Sequence, residues 1–433
     1  MSTAPSGSAD RARAARLLVE VLQDGKTLDQ TFGLGASSPL LQELVYGTLR
    51  YFLIRDERVD EELARRMKTR DLDLRCLMVV GAYQLHYTRI PDHAAINETV
   101  AACRGLKKPW ARPLVNAVLR KVAGKQPNER SFGLPDWIAQ AFDTHYPAHA
   151  DRLKAATLER APMSVRVNVL KVAPDAYRRA LAEQRIGAAP GWFPEHLILD
   201  RPVPVRQLPG HAEGLVSVQD AGALFAAGLV SGKTPPARIL EACAAPGGKL
   251  FHLIERMPDA AVTGLELSEP RLRHLENEAV RLGHQEVTLV HGDAATRDWA
   301  AAASFDAILL DAPCSGSGTL RRHPDIKLLR HPSDLAGYAE RQLAMLDNLF
   351  ELLAPGGALV YCTCSLFPEE NDDVIAAFLD HQPRAVLTPL ELEVGIATRH
   401  GWQLLPLPAA GDPPNRTVDG FYFARMTRRE KAR

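Results

Sequence analysis

The chain has 433 residues, of which 46% are hydrophobic and 24% are charged, so it can form more than one packed domain. Its 52 lysines and arginines balance its 52 aspartates and glutamates, and this balance neither favours nor excludes a nucleic acid partner. No apolar run approaches the roughly 20 residues of a membrane helix, and Met1 to Asp10 lack the apolar core of a signal peptide. We therefore expect a cytoplasmic protein without a membrane partner that keeps its six cysteines reduced.

The first stretch, residues 1–127, is predicted to be an all-α bundle. Strand signals are scarce, and apolar residues recur at helical spacing, for example Ala15, Leu18, Val19 and Leu22. The stretch holds 20 lysines and arginines against 14 aspartates and glutamates, and the chain also ends in a basic segment with Lys431 and Arg433. Such a surplus is compatible with a phosphate-binding face, although it is more often an ordinary solvated surface.

The second stretch, residues 128–214, is predicted to be a small α+β domain. A polar segment from Gln126 to Pro135, which carries two prolines, marks the boundary that precedes it. The run from Ser164 to Val169 alternates polar and apolar residues, which predicts a strand with one solvated face. Arg166 and Asn168 lie on that face, where they could contact a nucleic acid such as RNA or simply face solvent on an edge strand.

The third stretch, residues 215–433, is predicted to be an α/β domain of Rossmann-like architecture. Helical patterns, notably Glu269–Leu282 and Asp334–Leu353, alternate with apolar strand candidates. The strand candidates are Arg238–Ala242, Ala261–Leu267, Glu286–His291, Phe305–Leu310, Ala358–Cys362 and Gly420–Ala424. This alternation is typical of βαβ units, so we expect a largely parallel sheet that helices cover on both faces.

In open α/β sheets, ligands bind beyond the carboxyl ends of the strands, so the residues that follow each strand are the candidates for chemistry. The first strand leads into a run of small residues, namely Cys243, Ala244, Ala245, Pro246, Gly247, Gly248 and Lys249. Its two glycines let a ligand approach the backbone and the N–H groups of the next helix. The run lacks the G-x-G-x-x-G spacing of dinucleotide folds and the residue pattern of a P-loop. A plain strand-to-helix turn is the alternative.

Acidic residues follow the next three strands. Glu266 ends the second strand and is suited to accept both hydroxyl groups of a ribose. Asp293 follows the third strand, where it could accept a hydrogen bond from an adenine amino group, and Asp311 ends the fourth. Each acid alone could be a helix cap. Together, three acids at successive strand ends predict a pocket for an adenosine-containing cofactor.

Two cysteines lie at the same predicted edge of the sheet. Cys314 follows Asp311 in a loop of small residues, and Cys364 follows the strand that ends at Cys362. Carbon 5 of cytosine is a poor nucleophile, but a thiolate that adds to carbon 6 makes an enamine whose carbon 5 can attack an activated methyl group. A lone buried cysteine is more often a small hydrophobic residue. A pair beside an adenosine pocket predicts covalent methylation of a cytosine.

Metal binding is the competing use of these cysteines. A single residue separates Cys362 from Cys364, which is not the spacing of structural zinc sites, so we expect no metal. Strand parity does not single out Cys364, because Cys362 would lie on the same face. The chemistry alone also leaves open whether Cys314 or Cys364 is the nucleophile.

Three motifs resemble those of the NOL1/NOP2/Sun family of RNA cytosine-C5 methyltransferases. They are C-A-A-P-G-G-K from Cys243, D-A-P-C-S-G-S-G-T-L-R-R-H-P-D-I-K from Asp311 and Y-C-T-C-S-L-F-P-E-E-N from Tyr361, with D-G-F-Y-F-A from Asp419 as the closing motif. Residues Tyr83–Val100 resemble a NusB-like RNA-binding domain, and S-V-R-V-N from Ser164 resembles the family's middle domain. The whole layout is similar to the bacterial Sun/Fmu branch, whose substrate is 16S ribosomal RNA.

The resemblance implies a role for each candidate residue. S-adenosylmethionine would be the cofactor, held by Cys243–Lys249 together with Glu266, Asp293 and Asp311. Cys364 would be the nucleophile, and Cys314 would assist release as a general acid or base. Asp311, oriented by Lys249, would take part in catalysis. The substrate would be a cytosine of 16S ribosomal RNA, and we expect the enzyme to be a monomer.

The sequence departs from the family pattern at two positions. Leu328 stands where the family usually has Trp, and Leu224 stands where a Gln is common, so either could alter the fit of the substrate. Two alternatives stay open. An enzyme of the same fold could methylate transfer RNA, although the NusB-like domain favours ribosomal RNA. A non-catalytic RNA-binding assembly factor could have kept the fold, although the intact cysteine pair speaks against it.

Overall fold

The computed structural model of the protein describes residues 7–33, 38–65, 67–125, 132–232, 235–409, 411–413 and 416–429. The chain divides into two units, Met1–Arg160 with Leu320–Arg330 and Ala161–Thr319 with His331–Arg433. Part of the predicted boundary segment, residues 126–131, lies outside the described residues, as do residues 1–6 and the basic residues Lys431 and Arg433. The three-part division of the chain after residues 127 and 214 stays a prediction.

The secondary structure follows the predicted order of helices first and alternating elements later. The helices are α1 (Gly7–Asp24), α2 (Leu28–Phe32), α3 (Pro39–Arg50), α4 (Phe52–Glu62), α5 (Leu72–Tyr87), α6 (Asp92–Gly105), α7 (Arg112–Ala123), α8 (Asp136–His145), α9 (Ala150–Ala156), α10 (Pro174–Glu183), α11 (Ala221–Ser231), α12 (Gly248–Arg256), α13 (Glu269–Leu282), α14 (Ile326–Leu329), α15 (Asp334–Leu352) and α16 (Asp372–His381). The strands are β1 (Ser164–Val167), β2 (Ala188–Pro190), β3 (His196–Leu199), β4 (Val216–Val218), β5 (Arg238–Ala242), β6 (Ala261–Glu266), β7 (Thr288–His291), β8 (Phe305–Asp311), β9 (Leu353–Thr363), β10 (Ala385–Thr388), β11 (Ile396–Ala397), β12 (Trp402–Leu404) and β13 (Phe421–Arg428).

The first unit is helical, which confirms the prediction for this part of the chain. Its apolar core draws on α1 to α7. Helix α1 shows why the sequence folds this way, because its apolar residues recur every three or four positions and face the core. The buried members include Ala14, Ala15, Leu18 and Val21. A single isolated helix is only marginally stable in water. Burial of each leucine or valine side chain contributes about 1.5–3 kcal/mol, and this packing stabilises the helix.

The segment Leu320–Arg330 belongs to this helical unit although it lies far along the chain. Asp325 Oδ2 accepts a hydrogen bond from Leu28 N at 3.0 Å, and Lys327 Nζ donates to Gly133 O at 2.8 Å. Burial lowers the pKa of Lys327 to about 7. Leu328, one of the two departures from the family pattern, packs against the helical core, so the side chain at this position takes part in packing.

The second unit contains a four-stranded antiparallel sheet in the order β2-β3-β1-β4. Strand β1 is therefore an inner strand, and Arg166 and Asn168 are each only 1% exposed. The interpretation of these two residues as solvent-facing or RNA-contacting was wrong. Alternation with apolar neighbours does not distinguish a solvated face from a buried polar one, and the charge of Arg166 is compensated by Glu255.

The large sheet of this unit confirms the predicted α/β architecture. Strands β9, β8, β5, β6 and β7 are adjacent in that order and parallel, and β13 pairs antiparallel with β9. Side chains alternate between two apolar cores. Ile239, Ala307 and Val360 belong to one core, and Leu240, Ile308 and Leu359 belong to the other.

Helices cover both faces of this sheet. Helices α11, α12 and α13 contribute to the first core, and α15 and α16 contribute to the second. Leu224, the other departure from the family pattern, is fully buried in α11. In the parts of the chain that the structure describes, no helix has the length and apolar character needed to cross a membrane. The parallel strands place their carboxyl ends along one edge, where the predicted site residues follow them.

Candidate active site

The run Cys243–Lys249 forms the turn between β5 and α12. Cys243 and Gly247 have positive φ angles of 63° and 100°, a backbone conformation that favours glycine. A side chain at Gly247 would also meet the Phe251 ring at 2.6 Å. Helix α12 begins at Gly248, so the N–H groups of its first turn point towards the carboxyl edge of the sheet. The turn has the backbone that a closely approaching ligand requires.

Glu266 fixes the position of this turn from the end of β6. Its Oε2 atom accepts a hydrogen bond from Ala245 N at 3.2 Å, and its Oε1 atom accepts one from Ser268 N at 2.9 Å. The Arg271 guanidinium lies 3.7 Å from Oε1. Two backbone donors and one cation thus hold a buried carboxylate in a single orientation, which suits recognition of hydroxyl groups.

A cavity of about 180 Å³ opens between the ends of β5, β6 and β7. Its polar and charged walls are Cys243, Glu266, Ser268, Arg271, Asp293 and Arg341, and its apolar walls include Leu267, Pro313 and Met345. Asp293 accepts hydrogen bonds from Arg341 Nη2 at 3.1 Å and from Ala295 N at 2.9 Å. Apolar walls suit a flat purine, and carboxylates suit hydroxyl and amino groups, so these residues fit the predicted adenosine-containing cofactor.

Asp311 and Lys249 form an ion pair beside this cavity, where β8 ends. Lys249 Nζ donates to Asp311 Oδ2 at 2.7 Å and lies 5.1 Å from the centre of the Phe421 ring. Burial is the largest single influence on the pKa of Lys249 and would lower it, but the charge and hydrogen bond of Asp311, together with Cys362 and Glu241, raise this pKa. Burial also raises the pKa of the nearby Glu241 well above its usual range. Lys249 therefore fixes the Asp311 carboxylate.

The structure brings Cys314 and Cys364 together. Their Sγ atoms are 3.4 Å apart, and both cysteines are free thiols. Cys362, which shares the strand parity of Cys364, is fully buried in β9 within the apolar core of the sheet. Cys364 lies just beyond the end of β9 and is only partly buried. The structure thus separates two cysteines that parity alone could not distinguish.

The Cys314 thiol is held in its protonated form. Its hydrogen bond with Cys364, burial, and the negative charges of Cys364 and Glu370 all raise the pKa of Cys314 well above its ordinary value. At neutral pH the Cys314 thiol can therefore donate its S–H to the Cys364 sulfur. Two adjacent thiols titrate as a pair, and the second ionisation is the costly one.

Glu370 lies within one of the motifs, but the sequence did not predict a role for this residue. It is fully buried, and its carboxylate accepts hydrogen bonds from Ser315 N, Ser315 Oγ and Ser365 Oγ, each at 2.6 Å. Burial raises the pKa of Glu370, and the hydrogen bonds with Ser315 and Ser365 limit the rise. Its position within the P-E-E-N run, two residues after a proline, was the only signal for it in the sequence.

Larger grooves of about 640 and 650 Å³ lie beside the four-stranded sheet and are lined by several arginines, including Arg185. They contain none of the predicted site residues. Within the described ranges, no group of three or more His, Cys, Asp or Glu residues has the arrangement of a metal site. The candidate chemistry is therefore concentrated in the smaller cavity and the cysteine pair next to it.

Comparisons with known proteins agree with this layout. A family model described as 16S rRNA methyltransferase RsmB/F matches residues 232–427, which contain the cavity and both cysteines. The NusB family model matches residues 8–124. A model described as an RsmF/B-like methyltransferase ferredoxin-like domain matches residues 134–206.

Individual relatives extend the similarity to nearly the whole chain. Ribosomal RNA small subunit methyltransferase B of Shewanella oneidensis is 38% identical over 96% of this chain and 98% of its own length. The protein of that name from Pseudomonas putida is 39% identical over the same shares. Among solved structures, a methyltransferase homologue from Pyrococcus horikoshii is 28% identical with a TM-score of 0.58, over 69% of this chain and 96% of its own.

Proposed function

This chain belongs to the RsmB/F family of 16S rRNA methyltransferases, and from that premise we propose that it methylates carbon 5 of a cytosine through a covalent adduct between Cys364 and carbon 6. The family methylates ribosomal RNA with S-adenosylmethionine as methyl donor. The observation that carries the finer proposal is the reduced cysteine pair, with sulfurs 3.4 Å apart, at the ligand edge of the sheet. We further propose that the enzyme acts in the cytoplasm, where ribosomal RNA is found, and as a monomer, since one chain holds every group named here.

The cofactor site of the proposal is the turn and cavity at the ends of β5 to β8. Cys243–Lys249, Glu266, Asp293 and Asp311 are the residues that would hold S-adenosylmethionine, and the carboxylates and apolar walls of the cavity suit its adenosine part. S-adenosylmethionine, when bound, supplies an electrophilic methyl group. Asp311, which Lys249 fixes, can accept a hydrogen bond from the amino group of cytosine and orient the base.

The first chemical step of the proposal belongs to Cys364. Its thiolate adds to carbon 6 of the cytosine, and the electron pair of the double bond moves to carbon 5. Carbon 5 then forms a bond to the methyl carbon, and the bond between that carbon and the sulfur of the methyl donor breaks. The Cys314 S–H, which the raised pKa keeps protonated, donates to Cys364 Sγ before the addition. Such an attack requires a base that is out of its stack, so the target cytosine is either flipped or in a loop.

The second step releases the product and assigns a role to Cys314. Once Cys364 is a thioether, its hydrogen bond and its charge no longer raise the pKa of Cys314, and these are among the largest causes of the rise. The Cys314 thiol then loses its proton to solvent more readily, and the resulting thiolate can take the proton from carbon 5. The bond between carbon 6 and Cys364 breaks, its electrons return to sulfur, and the double bond of 5-methylcytosine forms again.

Methyl transfer to ribosomal RNA tests the proposal directly. We would incubate the enzyme with labelled S-adenosylmethionine and unmodified 16S RNA, free and as ribosomal particles, and analyse the nucleosides by mass spectrometry. Labelled 5-methylcytosine is the expected product. Label on another base, or on another position of cytosine, would refute the proposed chemistry. Transfer to tRNA in place of 16S RNA would refute the substrate but leave the cysteine mechanism standing.

A further inference from the structure

The Glu370 carboxylate connects the two loops that carry the cysteines. Ser315, which directly follows Cys314, donates to it from both its backbone N–H and its hydroxyl group. Ser365, which directly follows Cys364, donates its hydroxyl to the Oε2 atom of the same carboxylate. One buried acid therefore bonds the residue after each cysteine.

Neighbouring groups complete the support. Ser317 Oγ lies 3.2 Å from Ser365 Oγ and accepts the Leu366 N–H at 2.8 Å. Gln342 Nε2 donates to Pro313 O at 2.9 Å, just before Cys314. Asn371 Nδ2 donates to Ser365 O at 3.0 Å. Ser317 belongs to the Cys314 loop and therefore contacts the Cys364 loop directly. Glu370 adds a shared acceptor, because hydroxyl and backbone donors from both loops bond its one carboxylate.

We propose that Glu370 is a positioning residue that holds Cys314 and Cys364 at the short distance at which the Cys314 S–H can donate a hydrogen bond to Cys364 Sγ. The catalytic meaning of this distance rests on the proposed function. The physical reason is that a buried carboxylate with three donors has one low-energy position, and the loops bonded to it share that position. A shift of about 1 Å between reacting groups can slow an enzyme on the order of 100-fold.

Three variants separate the contributions of Glu370. Glu370→Ala removes the acceptor that both loops share and leaves only the direct contacts between them. Glu370→Gln removes the charge but keeps an oxygen for the Ser315 N–H and an amide that can donate to the serine hydroxyls. Glu369→Ala is the matched control, because it removes the neighbouring carboxylate, which is exposed.

The first measurement uses the enzyme without cofactor or RNA. Dibromobimane becomes fluorescent only after it has reacted with two nearby thiols, and a Cys314→Ser variant shows which signal belongs to the pair. We expect Glu370→Ala to lower the rate of bridging between Cys314 and Cys364, with Glu370→Gln close to wild type in this rate and Glu369→Ala unchanged. An unchanged bridging rate in Glu370→Ala overturns the proposal.

The second measurement separates kcat from KM. We expect Glu370→Ala to lower kcat on the order of 100-fold while the KM for S-adenosylmethionine stays unchanged, because Glu370 does not line the cavity. Glu370→Gln should recover most of kcat. A rise in KM without a fall in kcat contradicts the positioning role. If Glu370→Ala does not fold, Ser315→Ala and Ser365→Ala each remove the hydroxyl that bonds one loop to Glu370. We expect smaller decreases in the bridging rate and in kcat for these two variants.

The bridging and kinetic results also distinguish this inference from the proposed function. Slower bridging together with no cytosine methylation by the wild type means that Glu370 positions the thiols but that the proposed reaction is wrong. Normal bridging in Glu370→Ala with cytosine methylation by the wild type means that the reaction is right and the positioning role is wrong.

Discussion

Replacement of Arg166 by methionine is the sharpest test of how the second unit is held together. Arg166 donates from Nε and Nη2 to the two carboxylate oxygens of Glu255, at 2.8 and 2.9 Å. Its Nη1 atom donates to Gly248 O at 2.5 Å and also to Gln219. Methionine nearly keeps the length of the side chain but removes the charge and every donor. The ion pair joins the small sheet to α12, the helix that follows the Cys243–Lys249 turn.

The magnitude follows from the burial of the pair. Arg166 and Glu255 are 1% exposed, so solvent does not screen the loss, and removal of one partner of a buried pair costs about 3–5 kcal/mol. His284 lies 3.9 Å from Glu255 and can offset only part of this cost. For a unit of this size, each kcal/mol corresponds to about 2–4 °C, so Arg166→Met should lower the Tm by about 6–20 °C.

Thermal unfolding followed by circular dichroism measures this change, and a second variant tests its cause. In the double variant Arg166→Met with Glu255→Met no charge is left unpaired, so it should recover most of the lost Tm. The Arg281→Met variant is a control that removes bonds from the far end of α13 to Val216 O in the small sheet and to His211 O in the loop before β4. A double variant as unstable as Arg166→Met would refute the ion-pair reasoning.

The same pair predicts a pH dependence. Burial is the largest single influence on the pKa of Glu255 and tends to raise it, but Arg166, followed by His284 and His252, lowers this pKa in the folded protein. A lowered carboxyl pKa contributes stability above the unfolded value of about 4.3, and this stability is lost as the pH falls through the folded value. The Tm difference between wild type and Arg166→Met should therefore be largest at neutral pH and narrow below about pH 4.3.

Three further changes test the proposed site. Cys364→Ala should abolish methyl transfer. Titration calorimetry should show unchanged cofactor affinity, because Cys364 does not line the cavity. Retained turnover would refute its role as nucleophile. Cys314→Ser should accumulate a protein–RNA adduct that survives a denaturing gel, and an adduct with Cys364→Ser instead would reverse the two roles. Gly247→Ala should weaken cofactor binding and lower the Tm by calorimetry, because its Cβ would lie 2.6 Å from the Phe251 ring at a φ of 100°. Gly248→Ala, with no contact closer than 3.4 Å, should leave the Tm nearly unchanged.

Local patterns were sufficient to predict the fold class and many element bounds. Helix α13 and strand β5 begin and end where the sequence predicted, because apolar periodicity and the flanking Ser268 and Gly283 are local signals. The carboxyl edge was predictable for the same reason, since the order of strands and helices implies where parallel strands end. The acids could be assigned to the site because each of them ends or follows one of these predicted strands.

The missed residues depend on partners that are distant in the sequence. Arg166 was interpreted as a surface residue, but Glu255, 89 positions later, compensates its charge. Glu370 bonds Ser315, 55 positions earlier. Hydrophobic periodicity carries no information about such partners, and a polar residue within an alternating strand has the same pattern whether solvent or a buried acid faces it.

The two cysteines illustrate what three-dimensional placement adds to chemistry. From the residue types alone, Cys314 and Cys364 were equivalent thiols at neighbouring strand ends. In the structure, the negative charge of Glu370 is among the causes that raise the pKa of Cys314. A thiol that stays protonated is a poor nucleophile but can donate its S–H to a neighbouring thiolate. This asymmetry supports the assignment of Cys364 as nucleophile and Cys314 as the group that acts on release. It also makes the order of the two steps self-consistent, because formation of the adduct removes a charge that keeps Cys314 protonated.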